Sequence, residues 1–257
     1  MSEFAAQYLE KAAAILSHIA KTQLDSIARA ADWSAASILA GRLVHLFGSG
    51  HSRVCVEEMF PRYGSFPGFH PIVELSMTNH HQVVGANGQR QAMFIERAEG
   101  LGEVILSNFA LDEKDTAMLF SASGAGAVVV EMALGFRRRL IRTIAVTSLA
   151  HAGATRSSHS SGQNLHQVCD LTIDTGAPAG DAMVRIPGLE TPVAPGSTIA
   201  GCAVANAIKS EVARRLTEAG HPPLVLTSSH WIGEERSRRL LEQVYEDYRR
   251  RVGVLYR

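Results

Sequence analysis

Apolar positions recur at helical spacing from the start of this chain. Phe4, Tyr8, Ile15 and Ile19 fall on one face of a first helix, and Leu24, Ile27 and Ala31 carry the pattern onto a second. Residues 3–41 therefore read as two helices, with Gly41 as the C-cap. The period then changes. Residues 42–47 (RLVHLF) make a short apolar run of strand length that ends in the small-residue turn GSGHS, and a helix follows over 52–63. Residues 64–71 are turn-rich, with Pro67-Gly68 as the clearest break. Further strands are predicted over 72–75, 116–121, 141–147, 171–174 and 224–228, and helices over 92–108, 124–140 and 198–219. Gly220 and Pro222-Pro223 end the last of these as a helix end requires. Residues 232–252 form a charged final helix with Leu241, Val244 and Tyr248 as its apolar stripe. Residues 175–196 hold many Gly and Pro and read as one long loop, a kind of segment that often carries function. Strands separated by helices give an α/β protein with a parallel sheet covered on both faces.

Composition narrows the classes. At 257 residues the chain can bury a substantial core, and 46% hydrophobic against 19% charged residues excludes disorder. Lys+Arg 25 balances Asp+Glu 25, so no net charge draws the chain to nucleic acid or to anionic lipid. Cys55, Cys169 and Cys202 are widely spaced, with no Cys-x-x-Cys, which argues against disulfides and structural zinc. No apolar run approaches membrane-spanning length, and Glu3, Glu10 and Lys11 in the first turns do not suit a signal peptide, so the cytoplasm is the expected compartment.

The candidate chemistry lies in the turns. Ser49, Gly50, His51 and Ser52 follow the first strand and open a helix, where free N–H groups and the helix dipole favour a phosphate. The strand over 116–121 leads into Ser121-Ala122-Ser123-Gly124-Ala125-Gly126 and another helix, and the strand over 141–147 ends in Thr147-Ser148. In a parallel sheet these turns share the edge at the carboxyl ends of the strands, where such sheets bind ligands. Three small hydroxyl-bearing turns there describe a phosphate cradle. The competing account is three unrelated capping serines, since Ser is a preferred N-cap.

The pairing of GSGHS with Ser-x-Ser-Gly, each after an apolar strand, resembles the sugar isomerase (SIS) domain family over about residues 40–230. It is most similar to single-domain members that carry Glu-Glu soon after GSGHS and later segments like Ala177-Pro178-Ala179-Gly180-Asp181-Ala182 and Gly196-Ser197-Thr198-Ile199. The resemblance implies a flavodoxin-like three-layer α/β/α fold with a five-stranded parallel sheet. Residues 1–257 are then a single SIS domain with a helical extension over 1–40 and a C-terminal helix over 231–257. It also implies a small phosphosugar ligand, no cofactor and a homodimer or higher homo-oligomer. Some actinobacterial members of this group dehydrate N-acetylglucosamine 6-phosphate, and related etherases act on N-acetylmuramic acid 6-phosphate. Two departures stand out. Gly126 occupies a position where the family often has Ser, Thr or Asn, and the helix over 198–219 lacks the catalytic His of phosphoheptose-type isomerases, offering Asn206, Lys209 and Glu211 instead.

Proton transfer next to a carbonyl needs a positioned base. Glu57 and Glu58 cannot both face one ligand, because helix neighbours diverge by about 100°. Glu58 stands in the favourable order with Arg62 for a structural pair, which leaves Glu57 as the functional candidate. Glu96 sits in a Glu-x-x-Glu-Gly segment similar to one that carries an acid–base glutamate in the etherases. His80 and His81 follow a strand end and titrate near neutrality, and His51 lies inside the first turn. No His pair has the His-x-x-x-His spacing of a metal site. The functional expectation is an amino-sugar 6-phosphate enzyme, a hydro-lyase that removes the C2 proton and the C3 hydroxyl without a metal. An aldose–ketose isomerase and a non-catalytic phosphosugar sensor are the alternatives.

Overall fold

The computed structural model describes residues 2–78 and 83–257. Two helices, α1 (Glu3–Thr22) and α2 (Leu24–Leu39), precede β1 (Val44–Gly48). The chain continues through α3 (Arg53–Met59), β2 (Phe69–Pro71), α4 (Leu75–Thr78), α5 (Gln89–Ile95) and α6 (Leu101–Leu106). Next come β3 (Thr116–Phe120), α7 (Ala127–Arg138), β4 (Arg142–Thr147), α8 (Leu149–Gly153), α9 (Leu165–Val168) and β5 (Leu171–Asp174). A hairpin of β6 (Ala182–Val184) and β7 (Val193–Pro195) leads to α10 (Ser197–Glu218), α11 (Ser229–Ile232) and α12 (Glu234–Val252).

The sheet runs β2-β1-β3-β4-β5, and every pairing in it is parallel. Its strands are apolar on both faces, as a doubly covered parallel sheet requires. Alternate residues divide between two cores. Val44, Leu46, Met118, Phe120, Ile144 and Val146 face a layer built from α1, α2, α3 and α10. Phe47, Ala117, Leu119 and Ala145 face α6, α7 and α9. This three-layer α/β/α arrangement is the fold that the resemblance implies.

The N-terminal helices pack on the late helix α10. Ile15 and Ile19 of α1 and Ile27, Ala31 and Ile38 of α2 share a core with Val204, Ile208 and Val212. Arg215 donates to the Ala28 carbonyl at 3.1 Å and pairs with Asp32.

Several elements differ from the sequence expectation. The strand expected over 72–75 sits earlier, because Phe69–Pro71 pairs with Val44–Leu46, while Val73 and Leu75 are exposed. The helix expected over 92–108 is interrupted between Ile95 and Leu101, and Gly100 at φ 92° leads into the second piece. Residues 224–228 are no strand. Leu226 exchanges two backbone bonds with Gly64 and Ser65, at 2.8 Å each, without a ladder. The loop expected over 175–196 contains the β6–β7 hairpin.

A buried polar chain lies at the sheet end away from the turns. Arg42 holds Asp115 through two bonds of 2.9 and 2.7 Å, His45 Nε2 lies 3.2 Å from Asp115, and His45 Nδ1 meets His70 Nδ1 at 3.1 Å. Burial and the neighbouring His45 drive His70 down to about 3. Burial alone would raise the Asp115 carboxyl, but the adjacent His45 and the hydrogen bonds from Arg42 outweigh it and hold the group well below the usual range.

Candidate functional site

A cleft of about 240 Å³ opens at the carboxyl ends of the strands. Its first wall is the turn after β1. Gly48 allows the turn to fold back on the strand, since a Cβ there would stand 2.7 Å from the Ser52 carbonyl oxygen. The Ser52 amide then donates to the Ser49 carbonyl at 3.1 Å, and Ser49, Gly50, His51 and Ser52 all border the cleft. His51 is exposed at the rim.

The second wall is the turn after β3, from which Ser121, Ala122 and Ser123 line the cleft. Ser121 Oγ accepts from the Gly124 amide at 3.0 Å, and Ser123 Oγ accepts from the Ala125 amide at 3.3 Å. Accepting these bonds fixes each oxygen and leaves its O–H free to donate outward, because a hydroxyl has one donor and two acceptor sites. Gly124 adopts φ 65° where a Cβ would stand 2.9 Å from Leu165 Cβ, so it shapes this wall rather than touching the cleft.

The third expected wall behaves differently. Thr147 and Ser148 are fully buried. Thr147 Oγ1 donates to the Ala122 carbonyl at 3.3 Å, and Ser148 Oγ donates to the Ala177 carbonyl at 2.5 Å while capping α8. Their hydroxyl protons are spent inside the protein. They brace the Ser121–Ser123 wall and residue 177 from behind, and Val146 is the β4 residue at the cleft.

Glu96 caps the end of α5 and reaches the cleft, accepting from Ser49 Oγ at 3.3 Å. Its carbonyl accepts from the Val128 amide at 3.1 Å, which ties it to the start of α7. Glu99 of the same segment points elsewhere. It accepts from the Ser160 hydroxyl and amide, and those bonds lower its pKa.

Glu57 is not brought to the cleft. Cys55 of α3 faces it, and 100° per residue carries residue 57 to the far side of the helix. The Glu57 side chain is 65% exposed and pairs with Arg53 at 3.8 Å. Glu58 pairs with Arg62 and accepts from Asn206 Nδ2 at 2.8 Å, so it too is structural. Lys209, also on the late helix, is buried and donates to the Glu58 carbonyl at 2.8 Å. His80 and His81 lie outside the described residues.

Thr175, Asp181, Ser197, Thr198 and Gly201 also line the cleft. Asp181 is the organising residue. It adopts φ 68°, and its carboxylate accepts from the Gly196 amide, the Ser197 amide and the Ser197 hydroxyl at 3.0, 2.7 and 2.7 Å. It thereby fastens the hairpin to the start of α10. The segments Ala177–Ala182 and Gly196–Ile199 stand out in the sequence as family-like, and that resemblance was the available signal for these residues.

Among the described residues, no Lys or Arg lines the cleft. Hydroxyls, backbone N–H groups and the His51 ring are the donors an anion would meet there. Among the described residues no group of His, Cys, Asp and Glu is placed to hold a metal, and no helix is long and apolar enough to cross a membrane.

Residues 7–148 match the SIS domain model. A UPF0309 protein of Geobacillus kaustophilus is 31% identical over 250 residues, 97% of this chain and 96% of the relative. One of Oceanobacillus iheyensis is 32% identical over 241 residues, 94% and 96% of the two chains. One of Streptomyces coelicolor is 32% identical over 245 residues, 94% and 95%. The sugar isomerase domain of an RpiR transcription factor from Sphaerobacter thermophilus has a TM-score of 0.52 at 16% identity, covering 95% of this chain and 99% of that one. A phosphoheptose isomerase from Francisella tularensis has a TM-score of 0.53 at 13% identity, covering 82% and 98%. At such identities these two structures speak for the fold alone. The five-stranded order, the turns at its carboxyl edge and the sequence matches agree: the chain belongs to the SIS domain family and, within it, to the UPF0309 proteins.

Proposed function

We propose that the chain is an enzyme that dehydrates an amino-sugar 6-phosphate, with N-acetylglucosamine 6-phosphate as the first substrate to test. The observation that carries this reading is one cleft in which the Glu96 carboxylate stands beside the hydroxyl-rich turns at 49–52 and 121–123. Ser52, Ser121 and Ser123 would donate to the phosphate. The open-chain aldehyde makes the C2 proton acidic, and Glu96 takes it, with the negative charge delocalised onto the C1 carbonyl oxygen. The C3 hydroxyl then leaves as water, protonated by His51 at the rim. The sugar's own carbonyl stabilises the carbanion, so the step is complete with protein groups alone. The late helix favours elimination over aldose–ketose isomerisation, because it presents Ser197, Thr198 and Gly201 to the cleft and contains no histidine.

The test is incubation of the pure protein with N-acetylglucosamine 6-phosphate in deuterated buffer, followed by NMR and mass spectrometry. Loss of one water mass is expected. Deuterium at C1 or C2 without water loss would point to isomerisation, and no change with any amino-sugar phosphate would overturn catalysis. Glu96→Gln should lower turnover by about a hundredfold or more, the usual share of a general base. Glu57→Gln, remote from the cleft, should leave it unchanged.

A further inference from the structure

Two of the three cysteines are neighbours where α3 packs on α10, and one of them lines the cleft. Cys55 lines it from α3 and is only 4% exposed. It packs on α10 at Gly201, where a Cβ would stand 2.4 Å from Cys55 Sγ. That glycine brings the two helices close enough for the Cys202 thiol, next on α10 and partly exposed, to neighbour the Cys55 thiol. The charges of Glu58, Arg62 and Lys209 act on the Cys202 thiol. Hydrogen bonding to Cys55 lowers the Cys202 pKa, whereas Cys55 is raised by that same contact and then by burial. Cys202 is thus the more accessible thiol of the pair, and Cys55 is the buried thiol behind it. Cys169 differs. Burial pushes it up to about 12, and it packs with the opposite core.

We propose that Cys55 and Cys202 are a peroxide-reactive thiol pair whose disulfide pins α3 to α10 and disables the cleft between them. Effect on the ligand rests on the phosphosugar reading above; formation of the disulfide does not. The Cys202 thiolate attacks one peroxide oxygen, the O–O bond breaks, and hydroxide leaves and takes up a proton as water. Cys55 sulfur then attacks the Cys202 sulfenic acid. The S–S bond forms, the S–O bond breaks, and the second water departs with the Cys55 proton. Two thiols and one hydrogen peroxide give one disulfide and two waters. Pinning acts on the cleft because α3 begins directly after the GSGHS turn that lines it, and α10 begins at Ser197, which lines it too.

The experiment treats the whole reduced protein with dilute hydrogen peroxide, quenches with catalase, alkylates and digests with trypsin. A disulfide-linked pair of peptides 54–62 and 186–209 is expected, lighter by two hydrogens than the separate peptides and abolished by dithiothreitol. Affinity for N-acetylglucosamine 6-phosphate, by calorimetry, should weaken about tenfold or more on oxidation, within the range of typical intersite coupling, and return on reduction. Cys202→Ala should bind within about twofold of the reduced wild type and ignore peroxide. Hydrogen exchange of residues 49–53 should change on oxidation of the wild type alone. Absence of the linked peptides would overturn the pair. Linked peptides with unchanged exchange and unchanged affinity would overturn its action on the cleft. Failure of the reduced protein to bind the sugar phosphate would sink the phosphosugar reading, while the linked peptides and the exchange would still decide the thiol pair.

Discussion

Replacing Asp181 separates two physical effects at one position. Its carboxylate caps α10 with three hydrogen bonds, and its backbone sits at φ 68°, where side chains other than Gly, Asn and Asp are disfavoured. Asp181→Ala removes the cap, a loss of about 1–2 kcal/mol. It also places a Cβ without local hydrogen bonding in the left-handed region, at about 1 kcal/mol more. The sum is about 2–3 kcal/mol, roughly a thirtyfold to a hundred-and-fiftyfold shift toward the unfolded state. Asp181→Gly loses the same cap but relaxes the backbone, offset in part by the freedom glycine gains in the unfolded chain. Glycine should therefore be less destabilising than alanine by about 1 kcal/mol. Urea unfolding of the three proteins, with m-values compared, measures this directly. Equal midpoints for the alanine and glycine variants would refute the backbone argument. Losses below about 0.5 kcal/mol in both would refute the cap.

Other consequences can be measured as simply. His70 is neutral when folded and protonates near pH 6.5 when unfolded, so the unfolded state binds the extra proton and stability should fall as pH drops from about 6.5 toward 3. His70→Gln should make that slope shallower by up to one proton, about 1.4 kcal/mol per pH unit, in denaturation midpoints taken across the range. Asp115 adds to acid sensitivity below about pH 4, since its depressed carboxyl contributes stability above the unfolded value that is lost on protonation. Gly201→Ala forces a Cβ against Cys55 Sγ and should destabilise by about 1–3 kcal/mol; adding Cys55→Ala should recover part of it, a coupling that a double-mutant cycle in urea will read. Ser148→Ala should lower stability by about 1–2 kcal/mol and leave phosphosugar affinity nearly unchanged, whereas Ser121→Ala and Ser123→Ala should weaken binding, all by calorimetry beside urea melts.

Order and type of the long elements are legible in the sequence because apolar positions switch from a helical period near 3.6 to short continuous runs of strand length. The turns at Ser49–Ser52 and Ser121–Ser123 are legible for the same reason, since each follows a strand and opens a helix. What each side chain does at its turn is less so. Ser121, Ser123 and Ser148 look alike in one dimension, yet only the first two keep an outward donor, because Ser148 meets the Ala177 carbonyl that arrives from 29 residues away. That neither Glu57 nor Glu58 reaches the cleft follows from the direction of α3, which Cys55 and Gly201 set by packing against α10. Asp181 and Ser197 act together across 16 residues, a pairing that hairpin closure creates and local spacing does not display.

The packing of α1 and α2 on α10 has a consequence in time. Translation makes the two N-terminal helices early and their partner late. Roughly 180 residues separate Leu39 from Glu218, so at about 5–20 residues per second the apolar stripe of Ile15, Ile27 and Ile38 waits about 10–35 s for Val204, Ile208 and Val212. Through that interval the nascent chain lacks the part of this core that α10 supplies. The hydroxyl turns at 49 and 121 exist by then, but the wall that holds Ser197 and Asp181 does not. Chaperone capture and ribosome profiling of stalled chains would see this protein as a late assembler, in which α1 and α2 leave the ribosome well before the helix that buries them.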